Sequence, residues 1–264
     1  MIDLPFYQVD AFAGRPFEGN PAAVMPLDQW LPDEIMQGIA AENNLSETAF
    51  TVPSAHVDAD YDLRWFTPTV EVELCGHATL ASAHVLLEDG AVRFATRSGV
   101  LSVTREDGKL WLDLPAFAVE QGEEPGLAEA LGVAGPTFLS RGGNGAGIVL
   151  LDDEAAVRAV TPDFTRLRTI DRLVIVTAPG LETDVASRVF AAYHGIDEDP
   201  VTGSAHAALV PFWAARLGKA RFTALQASKR SGRIECDDRP GPAGSGRVRL
   251  GGQAVTVIEG RFRL

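Results

Sequence analysis

The chain has 264 residues, 36 acidic and 23 basic, for a formal charge of −13, with 46% hydrophobic and 22% charged residues. That composition excludes a disordered chain, and a chain of this length buries roughly 75% of its extended surface, so neither a disulfide nor a metal staple is required. The acidic balance argues against a grip on a nucleic-acid backbone, and no apolar run approaches the ~18 residues of a membrane-spanning helix.

In chain order, the N-terminus Met-Ile-Asp-Leu-Pro has no positively charged lead into an apolar core, so no secretory signal is expected. Residues 6–12 and 22–25 read as strands. Leu31-Pro32-Asp33-Glu34 opens a helix, with proline and acids in the first turn and apolar Ile35, Ile39 and Ala40 at helical spacing. Residues 48–52 and 61–66 read as strands. Residues 76–87 read as an alanine-rich helix with hardly any charge, ended by Asp89-Gly90, and a helix apolar all round is a buried one. A matching helix runs from about Gly203 to Leu217 and stops at Gly218. Cys75 and Cys236 are too few for a disulfide framework, which suits reduced thiols and a cytoplasmic location.

The chain repeats itself at low identity. Gly19-Asn20-Pro21-Ala22 through Asp28 lies over Gly143-Asn144-Gly145-Ala146 through Asp152, an offset of 124 (residue 19 onto 143). Leu45-Ser46-Glu47-Thr48 through Pro53 lies over Asp171-Arg172-Leu173-Val174 through Pro179, an offset of 126. Cys75-Gly76-His77-Ala78 lies over Thr202-Gly203-Ser204-Ala205 at 127, and Ser98-Gly99-Val100-Leu101 over Ser231-Gly232-Arg233-Ile234 at 133. Four pairs in one order predict a duplicated fold with two similar domains, residues 1–119 and 120–264, divided near the loop Glu120–Gly126, the last strand returning to the first lobe. The N-termini of two buried helices would then point at a shared cleft.

Those two helix starts are the first candidate site. A helix N-terminus presents free N–H groups and partial positive charge, and Gly76 and Gly203 let a ligand approach the backbone. The same glycines would also serve tight helix–sheet packing. Glu47 stands at the entry to a buried strand where its repeat counterpart is Leu173, so a carboxylate replaces a residue that need only be apolar. Burial would bring its pKa toward neutrality and suit it to general acid–base work, against the plainer roles of cap or ion-pair partner. His77 follows the Cys75-Gly76 start and could donate to a substrate or serve structure alone. Asp199 precedes the second helix as turn former or substrate contact, with Ser204 able to reach the same ligand. Cys75 is a thiolate base or a small buried thiol; its partner position holds Thr202, so no two-thiol pair exists.

Other templates are missing. There is no Gly-x-Ser-x-Gly elbow, no phosphate or dinucleotide glycine loop and no His-Glu-x-x-His, and the five His and two Cys do not cluster in sequence with metal-ligand spacing. Neither a metal nor a cofactor is therefore expected. Lys229-Arg230-Ser231-Gly232-Arg233 reads as a solvated turn. A hydrolase using Ser204 or Cys75 would lack a general base.

The segments Glu18-Gly19-Asn20-Pro21, Leu45-Ser46-Glu47-Thr48, Arg64-Trp65-Phe66-Thr67-Pro68, Glu73-Leu74-Cys75-Gly76-His77-Ala78-Thr79, Gly195 through His206 and Gln226-Ala227-Ser228-Lys229-Arg230-Ser231-Gly232 resemble the PhzF-like (phenazine biosynthesis) isomerase family. The resemblance runs from the N-terminus to the last strand. It implies an α+β fold of two pseudo-symmetric lobes, each a β-barrel-like sheet wrapped around a central buried helix, similar to diaminopimelate epimerase and proline racemase, with the active site between them. It also implies a cofactor-independent isomerase that moves a proton on a small carboxylic acid, and a homodimer. By the same resemblance Glu47 is the acid–base group. Asn20, His77, Asp199 and Ser204 meet substrate, and Gly76 and Gly203 offer backbone amides. Cys75 departs from the phenazine enzyme itself and matches the position of a catalytic thiol in the epimerases. A racemase or epimerase with Glu47 and Cys75 as two bases therefore stays open, as does a non-catalytic small-acid-binding protein.

Overall fold

The computed structural model describes residues 2–141, 145–241 and 246–264. In chain order its elements are β1 (Asp3–Ala11), β2 (Asn20–Pro26), α1 (Asp33–Asn43), β3 (Glu47–Pro53), β4 (Tyr61–Phe66), β5 (Glu71–Val72), α2 (Gly76–Leu86), β6 (Ala91–Thr96), β7 (Gly99–Glu106) and β8 (Lys109–Pro115). There follow β9 (Ala118–Gln121), α3 (Leu127–Leu131), β10 (Thr137–Arg141), β11 (Ala146–Leu150), α4 (Glu154–Ala159), α5 (Phe164–Leu167), β12 (Leu173–Pro179), β13 (Val185–Ala191), β14 (Ile196–Asp199) and α6 (Gly203–Leu217). Last come β15 (Arg221–Gln226), β16 (Gly232–Arg239), β17 (Arg247–Gly252) and β18 (Ala254–Arg263).

Two compact units result, Met1–Asp113 with Gly251–Leu264, and Leu114–Leu250. The divide falls before 119/120, because residues 116 and 117 are tied into the second unit: Ala116 N–H donates to Gly246 O and Phe117 N–H to Ala207 O, both at 2.9 Å. The second bond has a local cause. Pro211 sits inside α6 and lacks the N–H that the Ala207 carbonyl would accept, so the Phe117 amide takes that acceptor. At the C-terminus β18 returns to the first unit and pairs antiparallel with β1 from Asp3↔Arg263 to Ala11↔Ala254.

Within each unit the strands follow one plan. In the first, β1 pairs antiparallel with β2, β2 parallel with β3, β3 antiparallel with β4, β4 parallel with β6, and β6 antiparallel with β7. In the second, β10–β11, β11–β12, β12–β13, β13–β15 and β15–β16 repeat that order of antiparallel and parallel pairings. Register repeats as well. Ala22 faces Glu47 as Ala146 faces Leu173, which reproduces the offsets of 124 and 126. Of the first repeat segment, Gly143 and Asn144 lie outside the described residues.

The parallel strands β3 and β12 are buried from their first residue to their sixth, as strands covered on both faces are. One face packs on a central helix. α2 lies against β1, β2 and β3, and its first eight residues are all buried. Besides His77 two of those are polar, and each returns its hydroxyl to the helix's own backbone: Thr79 Oγ1 to Cys75 O at 2.6 Å and Ser82 Oγ to Ala78 O at 2.8 Å. α6 is the counterpart, with ten buried residues and Gly218 closing it at φ +67°. The opposite face of each sheet is covered by shorter helices. α1 packs Met36, Ile39 and Ala40 on Met25, Phe50 and Phe66; α3, α4 and α5 cover Val149, Val174, Val176 and Phe190. Met36 takes the inward place expected of Ile35, which is 38% exposed, and shares the buried face with Ile39 and Ala40. No helix among the described residues is long and apolar enough to cross a membrane.

Candidate active site

The first unit gathers Asn20, Glu47, Cys75, Gly76 and His77. Each arrives by a separate local device. Gly19 turns the chain into β2 at φ +67°, where an added Cβ would stand 2.1 Å from Ala11 O, so only glycine fits. Phe17, also left-handed at φ +75°, donates its N–H to the buried Asp10 carboxylate at 2.8 Å. That tight turn sets Asn20 as the first residue of β2, fully buried. Glu47 opens β3 beside it, carried there by the parallel pairing of Ala22 with Glu47. Cys75 and His77 straddle Gly76 at the start of α2, whose first amides have no acceptor within the helix.

His77 is the centre. Its Nε2 lies 3.0 Å from Glu47 Oε2, and its Nδ1 lies 3.1 Å from Asn20 Nδ2 and 3.5 Å from Cys75 Sγ. Ser46 Oγ donates to Asn20 Oδ1 at 3.3 Å, holding the amide. The contact between Glu47 and His77 is an ion-pair distance without hydrogen-bond alignment. Glu47 Oε2 and His77 Nε2 are accordingly both buried atoms with no hydrogen-bond partner. A native interior rarely leaves such atoms unsatisfied, and a catalytic role is one standard reason for it.

The electrostatics follow from burial and proximity. Burial pushes the Cys75 thiol up to about 11, with the Glu47 charge adding to it, so the thiol is neutral at pH 7. For His77, burial opposes protonation, but negative charge at Cys75 and Glu47 outweighs it and carries the imidazolium well above its usual value. With the thiol neutral, Glu47 is the partner that acts at pH 7.

In the second unit, Asp199 ends β14 and is buried. Its carboxylate accepts the Thr202 hydroxyl, which makes it the turn former before α6 rather than the helix cap; the cap residue is Thr202. Gln226 knits this turn together: its Nε2 donates to Asp199 O at 2.7 Å and its Oε1 accepts Thr202 N–H at 2.9 Å. Gly203 is buried and Ser204 half-buried at the helix start. His206 matches Thr79 at an offset of 127, and each bonds the carbonyl four residues earlier, His206 Nδ1 to Thr202 O at 2.8 Å.

Ser46, Thr202 and Gln226 were assigned no role from sequence, although all three stand within the quoted motif segments. Sequence spacing also showed no metal-type cluster, and here the fold corrects it. One donor atom each from Glu47, Cys75 and His77 lie within 4.8 Å of one another. Glu47 is 28 residues from Cys75, a separation that no spacing rule spans. Of the run Lys229–Arg233, Lys229 to Ser231 lie in the turn between β15 and β16, with Ser231 N–H donating to Ser228 Oγ, and Gly232 and Arg233 open β16. A cavity of about 270 Å³ on the first unit, lined by Trp30, Arg64 and Arg97 among others, includes none of the clustered residues, and its arginines are paired with Asp33 and Glu71.

Residues 9–260 match the family described as phenazine biosynthesis-like protein, PhzC-PhzF. A Pseudomonas aeruginosa protein named as an uncharacterized isomerase is 52% identical, with 100% of both chains covered. Among solved structures, a PhzF-family phenazine biosynthesis protein of Enterococcus faecalis is 43% identical, covers 100% of both chains and superposes with a TM-score of 0.90. A hydroxyproline epimerase from Agrobacterium vitis, 12% identical with a TM-score of 0.65 over 99% of this chain and 93% of its own, shares the fold.

Proposed function

The chain belongs to the PhzC-PhzF phenazine biosynthesis-like family and is an isomerase, and from that premise we propose that it moves a proton on a small carboxylic acid with Glu47 as the general acid–base group. The observation that carries the reading is the buried Glu47 Oε2, 3.0 Å from His77 Nε2, with both atoms lacking a hydrogen-bond partner. A carboxylate held in that state can accept a proton from carbon and return it. His77 and Asn20 orient the acid, and the amides at Gly76 stabilise negative charge that develops on it. Asp199, Gly203 and Ser204 are the substrate contacts assigned to the second unit. No step in this sequence calls on a cofactor. The same reading carries the expected homodimer, which light scattering checks.

The test is isotope exchange. The protein is incubated in D₂O with a panel of small amino and hydroxy acids, and mass spectrometry looks for deuterium gained. Label in one compound with wild type and none with Glu47→Gln identifies substrate and base together. An active Glu47→Gln protein removes Glu47 from the role.

A second reading has an observation of its own. The Cys75 thiol stands in the same cluster, 3.5 Å from His77 Nδ1, and is neutral at pH 7, so it could deliver a proton to the face opposite a base. Under this epimerase reading Cys75→Ser abolishes exchange; under the Glu47-only reading it changes the rate by less than about tenfold, well inside the 10²–10⁴-fold typical of a lost acid–base group.

A further inference from the structure

We propose that Glu47, Cys75 and His77 also bind a zinc-type divalent cation, and that the bound cation blocks the acid–base site. The donor set is one sulfur, one imidazole nitrogen and one carboxylate oxygen, which suits zinc and excludes the all-oxygen preference of magnesium and calcium. The three donor atoms lie within 4.8 Å of one another in a buried pocket. Ligand atoms on a tetrahedral zinc, at bonds of about 2.0–2.3 Å, stand roughly 3.3–3.7 Å apart. Glu47 Oε2 stands 3.0 Å from His77 Nε2 and Cys75 Sγ 3.5 Å from the opposite ring nitrogen, Nδ1, so the ring ligates through one nitrogen and side-chain rotation brings the third donor round to it.

The unpartnered atoms point the same way. Glu47 Oε2 and His77 Nε2 are buried and face each other at 3.0 Å without a hydrogen bond, and a cation that takes the place of the imidazolium proton satisfies both. Charge balances too. Binding breaks the Cys75 S–H bond and an N–H bond of the His77 imidazolium, releases both protons to solvent and forms the Zn–S and Zn–N bonds. Carboxylate and thiolate together then neutralise the ion, as a buried site demands. The partial positive charge at the start of α2 opposes the cation but favours the thiolate, which offsets part of the deprotonation cost. With Glu47 and His77 ligated, neither is left to move a proton. That blocking step rests on the proposed acid–base role of Glu47; the binding step does not.

Cobalt(II) is the probe that reports the ligands directly. Titrated into the full-length protein under argon, it should produce a thiolate-to-cobalt charge-transfer band with the visible absorption of a tetrahedral centre, and zinc should displace it. Cys75→Ser should lose the band while Cys236, also buried, remains. Glu47→Gln and His77→Gln should weaken zinc binding by on the order of 100-fold, since even outer partners of a metal ligand cost 10–100-fold. Cooperative thermal melting without metal confirms that each variant is folded. No charge-transfer band, or one that survives in Cys75→Ser, overturns the site. Zinc binding with no isotope exchange in any compound leaves the site standing and removes the proton-transfer reading. Exchange that persists at saturating zinc overturns the blocking step.

Discussion

Glu47 and Leu173 occupy equivalent places: each is the first residue of a buried parallel strand, and each faces an alanine, Ala22 or Ala146, across the pairing. The fold therefore accepts an apolar side chain at position 47. Glu47→Leu should still fold but lose roughly 3–5 kcal/mol of unfolding free energy, the cost of leaving buried His77 without its charged partner. Isotope exchange should fall by roughly 10²–10⁴-fold, the weight of a general acid–base group. Urea denaturation and the D₂O assay check the two halves; a collapsed fold would mean that Glu47 is structural.

Gly19→Ala tests how Asn20 is held. The left-handed backbone at φ +67° costs an alanine about 1–2 kcal/mol, and its Cβ would stand 2.1 Å from the Ala11 carbonyl, a backbone atom that cannot swing away. A loss of at least about 2 kcal/mol is expected, with reduced exchange as Asn20 shifts from His77. The paired measurement is thermal melting with steady-state exchange.

Gln226→Leu strips the turn before α6. It leaves Thr202 N–H and Asp199 O buried without their present partner, at roughly 1–3 kcal/mol each. A total loss of about 2–6 kcal/mol is expected by urea denaturation. If Asp199 meets substrate, a stable residue of folded Gln226→Leu protein should also show a raised KM.

The two buried histidines should bend the pH–stability curve in opposite directions. His206 is held neutral by burial, its pKa lowered from 6.5 to about 4, with the hydrogen bond to Thr202 O opposing. The folded state thus binds fewer protons, so its stability is whole above about 6.5 and is lost as pH falls toward 4, by about 3 kcal/mol at 1.36 kcal/mol per unit. His206→Thr, which copies the hydroxyl-to-carbonyl bond of Thr79, should flatten that acid limb. His77 is raised, so its contribution is present below about 6.5 and is lost as pH climbs through the raised value. Glu47→Gln should flatten that alkaline limb. Unfolding free energies from pH 4 to 10 separate the two.

Much of the architecture was legible in residue order. Apolar runs with little charge marked α2 and α6 as buried helices, and repeat offsets of 124 and 126 anticipated the matched registers of β2–β3 and β11–β12. Glu47 stood out because its counterpart is leucine. The division of the chain was less legible, since the bond from Phe117 to the carbonyl that Pro211 frees joins residues 90 positions apart.

What the sequence determined by itself is the duplication and the type of the elements it marked, among them α2, α6 and the strands on either side of Glu47, because periodicity, capping and turn preference act within a few residues of one another. Only the tertiary structure decided that Ser46, Asn20, His77, Glu47 and Cys75 form one connected cluster, and that Gln226 braces Asp199. Those groups meet through a parallel strand register and the seating of a buried helix on it. Both depend on which side chains pack across the sheet, a condition met only once distant segments have come together.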